Sequence, residues 1–299
     1  MAINVTPVAQ RGRVNACMRG VMLIGSSLGG VVMTLCIHRL GFTEAVVVQA
    51  LFLLSFTTFT FFVKEQNQDL LFSLQPSSTN QAPASRANPP TLASIFGKLF
   101  AALLSKLSLR TFGTIALVYV CLSIFVRAIN VHLIQQLHWT DTYLSTLSGS
   151  YVVVGAMLVM VMGGILSDKM GARKLLLITM GVIGTYLLIF NLMAPLWSNQ
   201  TLSSTGLLLW YMFDPSFSIA AMPILMNISH KGIEGSQFTT YMSLVNFSEV
   251  SGAYIAGYAL LWLSAPTVGI FCGLIILMAL LLQVYVGSKD RQQNGIPYD

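Results

Sequence analysis

Long apolar blocks, separated by short polar connectors, run along most of the chain. Eight blocks reach the length of about 20 residues that an α-helix needs to cross the hydrocarbon core of a bilayer. Because these blocks are continuous and do not alternate residue by residue, they predict helices rather than the strands of a β-barrel. We predict membrane-spanning helices over residues 14–36, 43–63, 111–134, 143–166, 175–195, 205–228, 237–263 and 266–286.

One long connector, residues 64–110, interrupts the series of short loops. Its first part is rich in Pro, Ser, Asn and Ala, which predicts a flexible linker. In its second part, apolar residues including Phe96 and Phe100 recur at helical spacing among basic residues, which predicts a short interfacial helix. The predicted organisation is therefore two helices in residues 1–63, the linker, and a six-helix bundle with a short tail in residues 111–299.

Composition supports a membrane protein. Hydrophobic residues make up 55% of the chain, charged residues only 9%, and the mean hydropathy is +0.74. Soluble domains carry about 25% charged residues, so this chain has too few polar side chains to cover a soluble enzyme of its length. The same apolar content excludes a disordered chain. We therefore predict an all-α, polytopic protein of the inner or plasma membrane.

The basic residues predict the orientation. If the eight spans alternate, the lysines and arginines of the connecting segments fall on one side of the membrane, and the opposite side receives Arg39. By the positive-inside rule, both termini and the linker are then cytoplasmic. Basic residues spread over short loops do not predict a nucleic-acid partner. The four cysteines lie in apolar blocks without metal-ligand spacing, so we expect no metal and no cofactor.

Three charged residues lie well inside predicted spans, namely Arg127, Asp214 and Glu249. Their depths from the cytoplasmic side are roughly 24, 21 and 18 Å at 1.5 Å per residue. A charge at such depth costs several kcal/mol unless it is paired or hydrated, so we expect the three to face one another or a shared aqueous cavity. Two interpretations remain open: a structural ion pair between Arg127 and one acid, or a site in which an acid carries a coupling proton.

Polar and small residues near these charges extend the candidate site. Asn130 and Asn246 lie one turn from Arg127 and Glu249, so we include both in the candidate substrate and proton-coupling set. Pro215 follows Asp214 directly, which predicts a bent helix at that charge. A helix face of small residues favours close helix packing over ligand contact, and it consists of Gly252, Ala253, Ala256 and Gly257.

The string GGILSDKMGARKLL, residues 163–176, connects the fourth and fifth predicted spans. Its spacing resembles the loop signature that follows the second helix of each half in the major facilitator superfamily. The resemblance implies a gating role, in which acidic and basic groups hold neighbouring helices together in one state and release them in the other. The residues that match the signature are Gly164, Asp168, Lys169, Gly171, Arg173 and Lys174.

Other segments resemble the same family. RGRVNACMRG is similar to the connection into helix five, and LHWTDTYLSTLSG to the connection between helices seven and eight. GIEGSQFTTYMSLVNFS resembles the start of helix eleven in the branch that contains muropeptide permeases and acetyl-CoA transporters. The resemblance implies that the eight spans correspond to helices five to twelve of a twelve-helix fold, with the first four helices missing.

The predicted function follows from the charges and the resemblance together. We expect a secondary active transporter, a proton-coupled symporter working by alternating access, for a small anionic or zwitterionic solute. A truncated or non-transporting membrane protein that needs a partner is the main alternative. A membrane-embedded enzyme is disfavoured because we find no paired histidines, nucleophile motif or metal-ligand cluster in the sequence. The expected partners are the solute, protons and the lipid bilayer, and the oligomeric state stays open.

Overall fold

The computed structural model describes residues 11–60, 92–230 and 233–294, and every regular element within these ranges is helical. A π-helical turn, Leu147–Tyr151, joins α5 to α6, and a 3₁₀ turn, Ala194–Leu196, follows α7. The α-helices, numbered in chain order, are α1 Arg11–Leu40, α2 Phe42–Thr60, α3 Leu92–Leu103, α4 Lys106–Gln135, α5 Asp141–Thr146, α6 Val152–Met170, α7 Ala172–Leu192, α8 Gln200–Tyr211, α9 Phe213–Asn227, α10 Glu234–Trp262 and α11 Ala265–Asn294.

Every predicted span overlaps one of these helices or a consecutive pair of them. Within the described residues, five stretches are long and apolar enough to cross a membrane, which confirms an all-α protein with several spans. That all eight predicted segments cross the bilayer stays a prediction. The five stretches are Phe42–Phe59, Lys106–Gln135, Ala172–Leu192, Gln200–Asn227 and Ala265–Lys289.

Helix α4 contributes many buried side chains to the core. It packs along α10 on one side and α11 on the other, while α7 contacts α11 and α9. Its buried side chains recur at helical spacing, and Ile115, Tyr119, Phe125 and Ile129 are all less than 1% exposed. The hydroxyl of Ser105 caps its first turn by accepting from the amide of Ser108 at 3.3 Å.

Helices α1 and α2 lie at the edge of this bundle. Helix α1 packs against α6 and α9, and α2 contacts α1. The candidate span in α2 is only 6% buried, with large apolar side chains such as Phe52 and Leu54 more than half exposed. Exposed apolar surface of this extent is stable when lipid rather than water surrounds the helix.

The chain changes direction at Gly171 and at Met212, where the bend predicted beside Pro215 is confirmed. Gly171 alone separates α6 from α7, and its φ of 85° lies in the left-handed region that suits glycine. The helix that carries Asp214 is interrupted two residues earlier, at Met212: α8 ends at Tyr211 and α9 begins at Phe213, with Pro215 in the first turn of α9.

The predicted interfacial helix corresponds to α3, Leu92–Leu103. Leu99 and Ala102 are buried, whereas Phe96 and Phe100 are about 60% exposed, as expected for a helix that docks on one side and meets lipid on the other. The rest of the predicted linker, residues 64–91, lies outside the described residues, as do both ends of the chain.

We call the side of the bundle that holds the Gly171 turn and the start of α4 the basic end. Arg13, Lys106 and Arg110 all lie on this side. The other side, which holds the end of α4 and the start of α11, is called the opposite end. Its placement outside the cell remains a prediction from the distribution of basic residues.

Candidate functional site

A cavity of about 460 Å³ opens between α4, α6, the α8–α9 break and α10. Its wall is mainly apolar and aromatic, and includes Tyr119 and Trp210. Arg127, Asp214 and Glu249 all line it. The structure therefore brings the three charged residues, which come from three separate helices, to one cavity.

Local structure explains how each charge reaches this cavity. Arg127 extends the cavity-lining stripe of α4 that begins at Tyr119, because residues three or four apart share a helix face. Asp214 lies in the first turn of α9, directly after the helix break. Glu249 lies midway along α10 and is, like the other two, an exposed side chain. Exposure to a cavity lets water or a solute reach these charges.

A hydrogen bond and a close backbone approach join α4 to α10 beside Glu249. The Ser123 hydroxyl on α4 donates to the backbone carbonyl of Glu249 at 2.5 Å. At Gly252, one turn further along α10, a Cβ would lie 2.6 Å from the Val120 carbonyl oxygen. The two helices are therefore in close contact at the level of Glu249, and the predicted packing role of Gly252 is confirmed.

The predicted small-residue face of α10 does not act as one unit. Ala256 is buried at 1% exposure, as a packing residue should be. Ala253, however, lines the cavity, and a Cβ at Gly257 would meet no atom within 4 Å. The prediction was wrong for these two residues, because the small-residue run spans more of the helix circumference than the α4 contact covers.

Tyr211 also lines the cavity, although it is not among the residues predicted from the sequence. Its hydroxyl donates to Asn130 Oδ1 at 3.5 Å and lies within hydrogen-bonding reach of Ser148 in the π-helical turn. Asn130 is thereby connected to the cavity wall, one turn beyond Arg127. No sequence signal singled out Tyr211, because tyrosines are common in apolar spans and only tertiary packing selects this one.

Asn246, the second predicted polar neighbour, does not line the cavity. It is exposed on α10 one turn from Glu249, but the wall contributed by α10 consists of Glu249, Val250 and Ala253. Asn246 and Glu249 share a helix face because they are three residues apart, but the cavity ends along α10 before it reaches Asn246.

The loop-signature residues lie at the basic end, away from the cavity. Asp168 is near the end of α6, and its side chain is only 6% exposed. Arg13 Nε of α1 lies 2.9 Å from Asp168 Oδ2, so an ion pair fastens α1 to α6. Arg13 belongs to the basic residues that predict the orientation, and nothing in the sequence near either residue indicates its contact with Asp168.

Two further contacts near the Gly171 turn involve α9 and α11. Gly164 is buried, and at its neighbour Gly163 a Cβ would lie 2.9 Å from Ile219 Cδ1 of α9. The Arg173 guanidinium approaches α11, where a Cβ at Gly287 would lie 2.8 Å from Nη2. The side chains of Lys169 and Lys174 are exposed. Groups on α1, α9 and α11 therefore contact the segment from Gly163 to Arg173.

Comparison with known proteins identifies the family. The family model described as Major Facilitator Superfamily matches residues 1–213 and also residues 111–297. No curated protein sequence matches the chain. Because the two family matches together span almost the whole chain, the chain belongs to the Major Facilitator Superfamily, whose members are secondary transporters rather than enzymes, and it is an integral, multi-pass membrane protein.

Proposed function

We propose that this protein is a proton-coupled symporter that moves a small anionic or zwitterionic solute through the Arg127–Asp214–Glu249 cavity. The observation that carries the proposal is that one cation and two carboxylates, from three helices, line the same cavity. Intramembrane charges that share a cavity mark substrate and proton pathways in transporters.

The size of the cavity fits a small solute. Small-molecule sites in proteins occupy about 300–1,000 Å³, and this cavity measures about 460 Å³. Aromatic side chains such as Trp210 and Tyr211 supply apolar contact on its wall, and the guanidinium of Arg127 supplies a bidentate donor for a carboxylate or phosphate. A solute with an anionic group and a compact body satisfies both parts of the wall.

The charge balance supports a role for protons. With both carboxylates ionised, Arg127, Asp214 and Glu249 leave the cavity with one net negative charge. Binding an anion would add to this charge in a low-dielectric site, whereas one proton on a carboxylate neutralises the set. A zwitterion then enters with one proton and a monoanion with two, if the loaded cavity is to be neutral. Proton binding therefore favours solute binding, and solute binding favours proton binding.

The ion pair at the basic end supports alternating access. In the proposal, Arg13 and Asp168 hold α1 against α6 in one conformation and separate in the other. Asp168 is almost fully buried, so separation requires another partner or water for its carboxylate. Lys169 and Lys174, the two exposed lysines of the loop signature, are candidates for this new partner of Asp168.

We also propose that α1 and α2 correspond to helices five and six of the family fold, and α4 to α11 to its second half. The supporting feature is the position of the Gly171 turn, which follows the second span after the long connector. The likeness of residues 232–248 to muropeptide permeases and acetyl-CoA transporters makes their solute classes the first to test.

The test is solute counterflow in proteoliposomes that also contain a trapped pH indicator. A panel of muropeptides, acetyl-CoA, dipeptides, amino acids and small carboxylates is added to wild-type protein and to Arg127→Gln protein. The proposal expects at least one zwitterionic or anionic solute to exchange and to carry protons, with exchange lost in the Arg127 variant. Exchange of none of the panel members, with the protein folded, would favour a non-transporting membrane protein.

A further inference from the structure

A second concave surface lies on the outside of the bundle, between α4 and α11, and it is separate from the charged cavity. It has a volume of about 440 Å³. Its α4 wall runs from Leu109 to Leu117, and its α11 wall runs from Ile275 to Val286. We call this surface the α4–α11 groove.

The groove is apolar along most of its length and charged at one end. Leu117, Met278 and Leu282 are between 39% and 64% exposed, so the wall presents hydrocarbon to the surroundings. Arg110 lines the groove on the side that faces the basic end. Lys106 precedes it by one turn on the same face of α4, and it is exposed.

The α11 side adds a third cation to this mouth. Lys289 follows Val286 by three residues, so it shares the face of α11 that forms the groove, and it is exposed. Lys106, Arg110 and Lys289 therefore surround the end of a groove that is otherwise apolar. This combination is complementary to a molecule with an anionic head and a long apolar tail.

The length of the groove matches one leaflet of a bilayer. The α11 wall covers eleven residue steps, or about 16 Å at 1.5 Å per residue. Half of a hydrocarbon core of about 30 Å is about 15 Å. An acyl chain that starts with its head group at Arg110 therefore ends near the bilayer midplane, where the groove ends.

Hydrogen bonds between the two helices keep the groove formed. Gln283 Nε2 donates to Thr114 Oγ1 at 2.5 Å, and Thr114 Oγ1 donates to the Arg110 carbonyl at 3.0 Å. These polar groups satisfy one another at the groove floor and do not require a ligand. Gly113 lies between them on α4, and a Cβ there would meet no atom within 4 Å. The space above Gly113 is therefore open to an occupant.

We infer that the α4–α11 groove binds an anionic phospholipid from the leaflet at the basic end. In this arrangement Arg110, with Lys106 and Lys289, holds the head-group phosphate, and one acyl chain lies over Gly113. A second copy of the protein fits less well. In a two-fold dimer with its axis along the membrane normal, the same surface meets itself at the same depth, so the basic mouths of both copies would repel each other.

The test measures lipid binding by the purified full chain in detergent, using native mass spectrometry. Phosphatidylglycerol is compared with phosphatidylcholine, and soluble glycerol phosphate is added as a competitor. A cation near a membrane surface contributes enough to change anionic-lipid affinity about five-fold. Arg110→Gln should therefore weaken phosphatidylglycerol binding about five-fold, and the double variant with Lys106→Gln roughly thirty-fold.

A second variant separates the groove from the charges. Gly113→Leu fills the groove without removing a cation, and should weaken phosphatidylglycerol binding at least as much as Arg110→Gln. The matched controls are Gly257→Leu, where a Cβ also meets open space, and Lys98→Gln, an exposed lysine on α3. Both controls should bind phosphatidylglycerol like wild type.

Four results would overturn the inference. Equal binding of phosphatidylglycerol and phosphatidylcholine would show that the three cations do not select an anionic head group. If Arg110→Gln weakens phosphatidylglycerol binding and Gly113→Leu does not, the acyl chain does not lie in the groove. Full competition by glycerol phosphate shows a soluble phosphate site, because the acyl chain then adds nothing. Dimers that Gly113→Leu dissociates, with lipid binding unchanged, show a second copy as the occupant.

Discussion

Replacing Arg13 with Gln should weaken the junction between α1 and α6 at the basic end. The change removes the Nε group that lies 2.9 Å from Asp168 Oδ2. The carboxylate of Asp168, only 6% exposed, then loses its cation and stays largely shielded from water. We therefore expect Arg13→Gln to destabilise the folded protein more than Asp168→Asn, which leaves behind a guanidinium that is 61% exposed and hydrated.

The expected magnitude follows from the unequal burial of the two partners. Exposed ion pairs contribute about 0.2–1 kcal/mol, and removing one partner of a fully buried pair costs about 3–5 kcal/mol. With one partner buried and the other well exposed and screened, we expect a coupling energy of about 1–2 kcal/mol. That energy corresponds to a change of roughly five- to thirty-fold in the population of the joined state.

The assay is a double-mutant cycle on reversible unfolding in mixed detergent micelles, followed by tryptophan fluorescence. Arg13→Gln, Asp168→Asn and their combination are compared with wild type. A control cycle combines Arg13→Gln with Lys98→Gln on α3, for which we expect additivity within about 0.5 kcal/mol. A coupling energy between Arg13 and Asp168 below that control value would refute the reasoning, as would a larger cost for Asp168→Asn than for Arg13→Gln.

Three further changes test the packing and the cavity. Gly252→Leu should destabilise the folded protein by about 1–3 kcal/mol, because the new side chain meets the α4 backbone. Gly257→Leu, in open space, should change stability little. Both variants are measured in the same unfolding assay. Gly171→Ala should cost about 1 kcal/mol because φ is 85°, and equal stability to wild type would contradict this. Tyr211→Phe removes the hydroxyl that donates to Asn130 and should weaken solute binding by up to about ten-fold. Solute affinity is measured by isothermal titration calorimetry, and an unchanged affinity would place Tyr211 and Asn130 outside the solute site.

The sequence predicted the charged cavity residues because a charge in an apolar helix is conspicuous. Arg127, Asp214 and Glu249 each interrupt a span, and the cost of leaving them in lipid predicted that they meet. The bend before Asp214 was predictable because Pro215 cannot donate a helical hydrogen bond. These predictions rest on local chemistry that any fold must satisfy.

The features that the sequence did not predict depend on tertiary packing. The π-helical turn at Leu147–Tyr151, which brings Ser148 within reach of Tyr211, has no residue pattern of its own. The partner of Asp168 lies about 155 residues away, so no spacing rule connects it to Arg13. The α4–α11 groove depends on which faces of two helices leave a gap, which hydrophobic patterning does not determine.

Neutralising the cavity acids tests the central claim most directly. Wild-type protein, Asp214→Asn and Glu249→Gln are each reconstituted into proteoliposomes, and a pH gradient is imposed across the membrane. The accumulation of an exchanging solute is measured, and counterflow without a gradient is the control for folding. Wild-type protein should accumulate the solute, and neither variant should do so in response to the gradient. Accumulation driven by the pH gradient in both variants would contradict a proton-coupling role for Asp214 and Glu249.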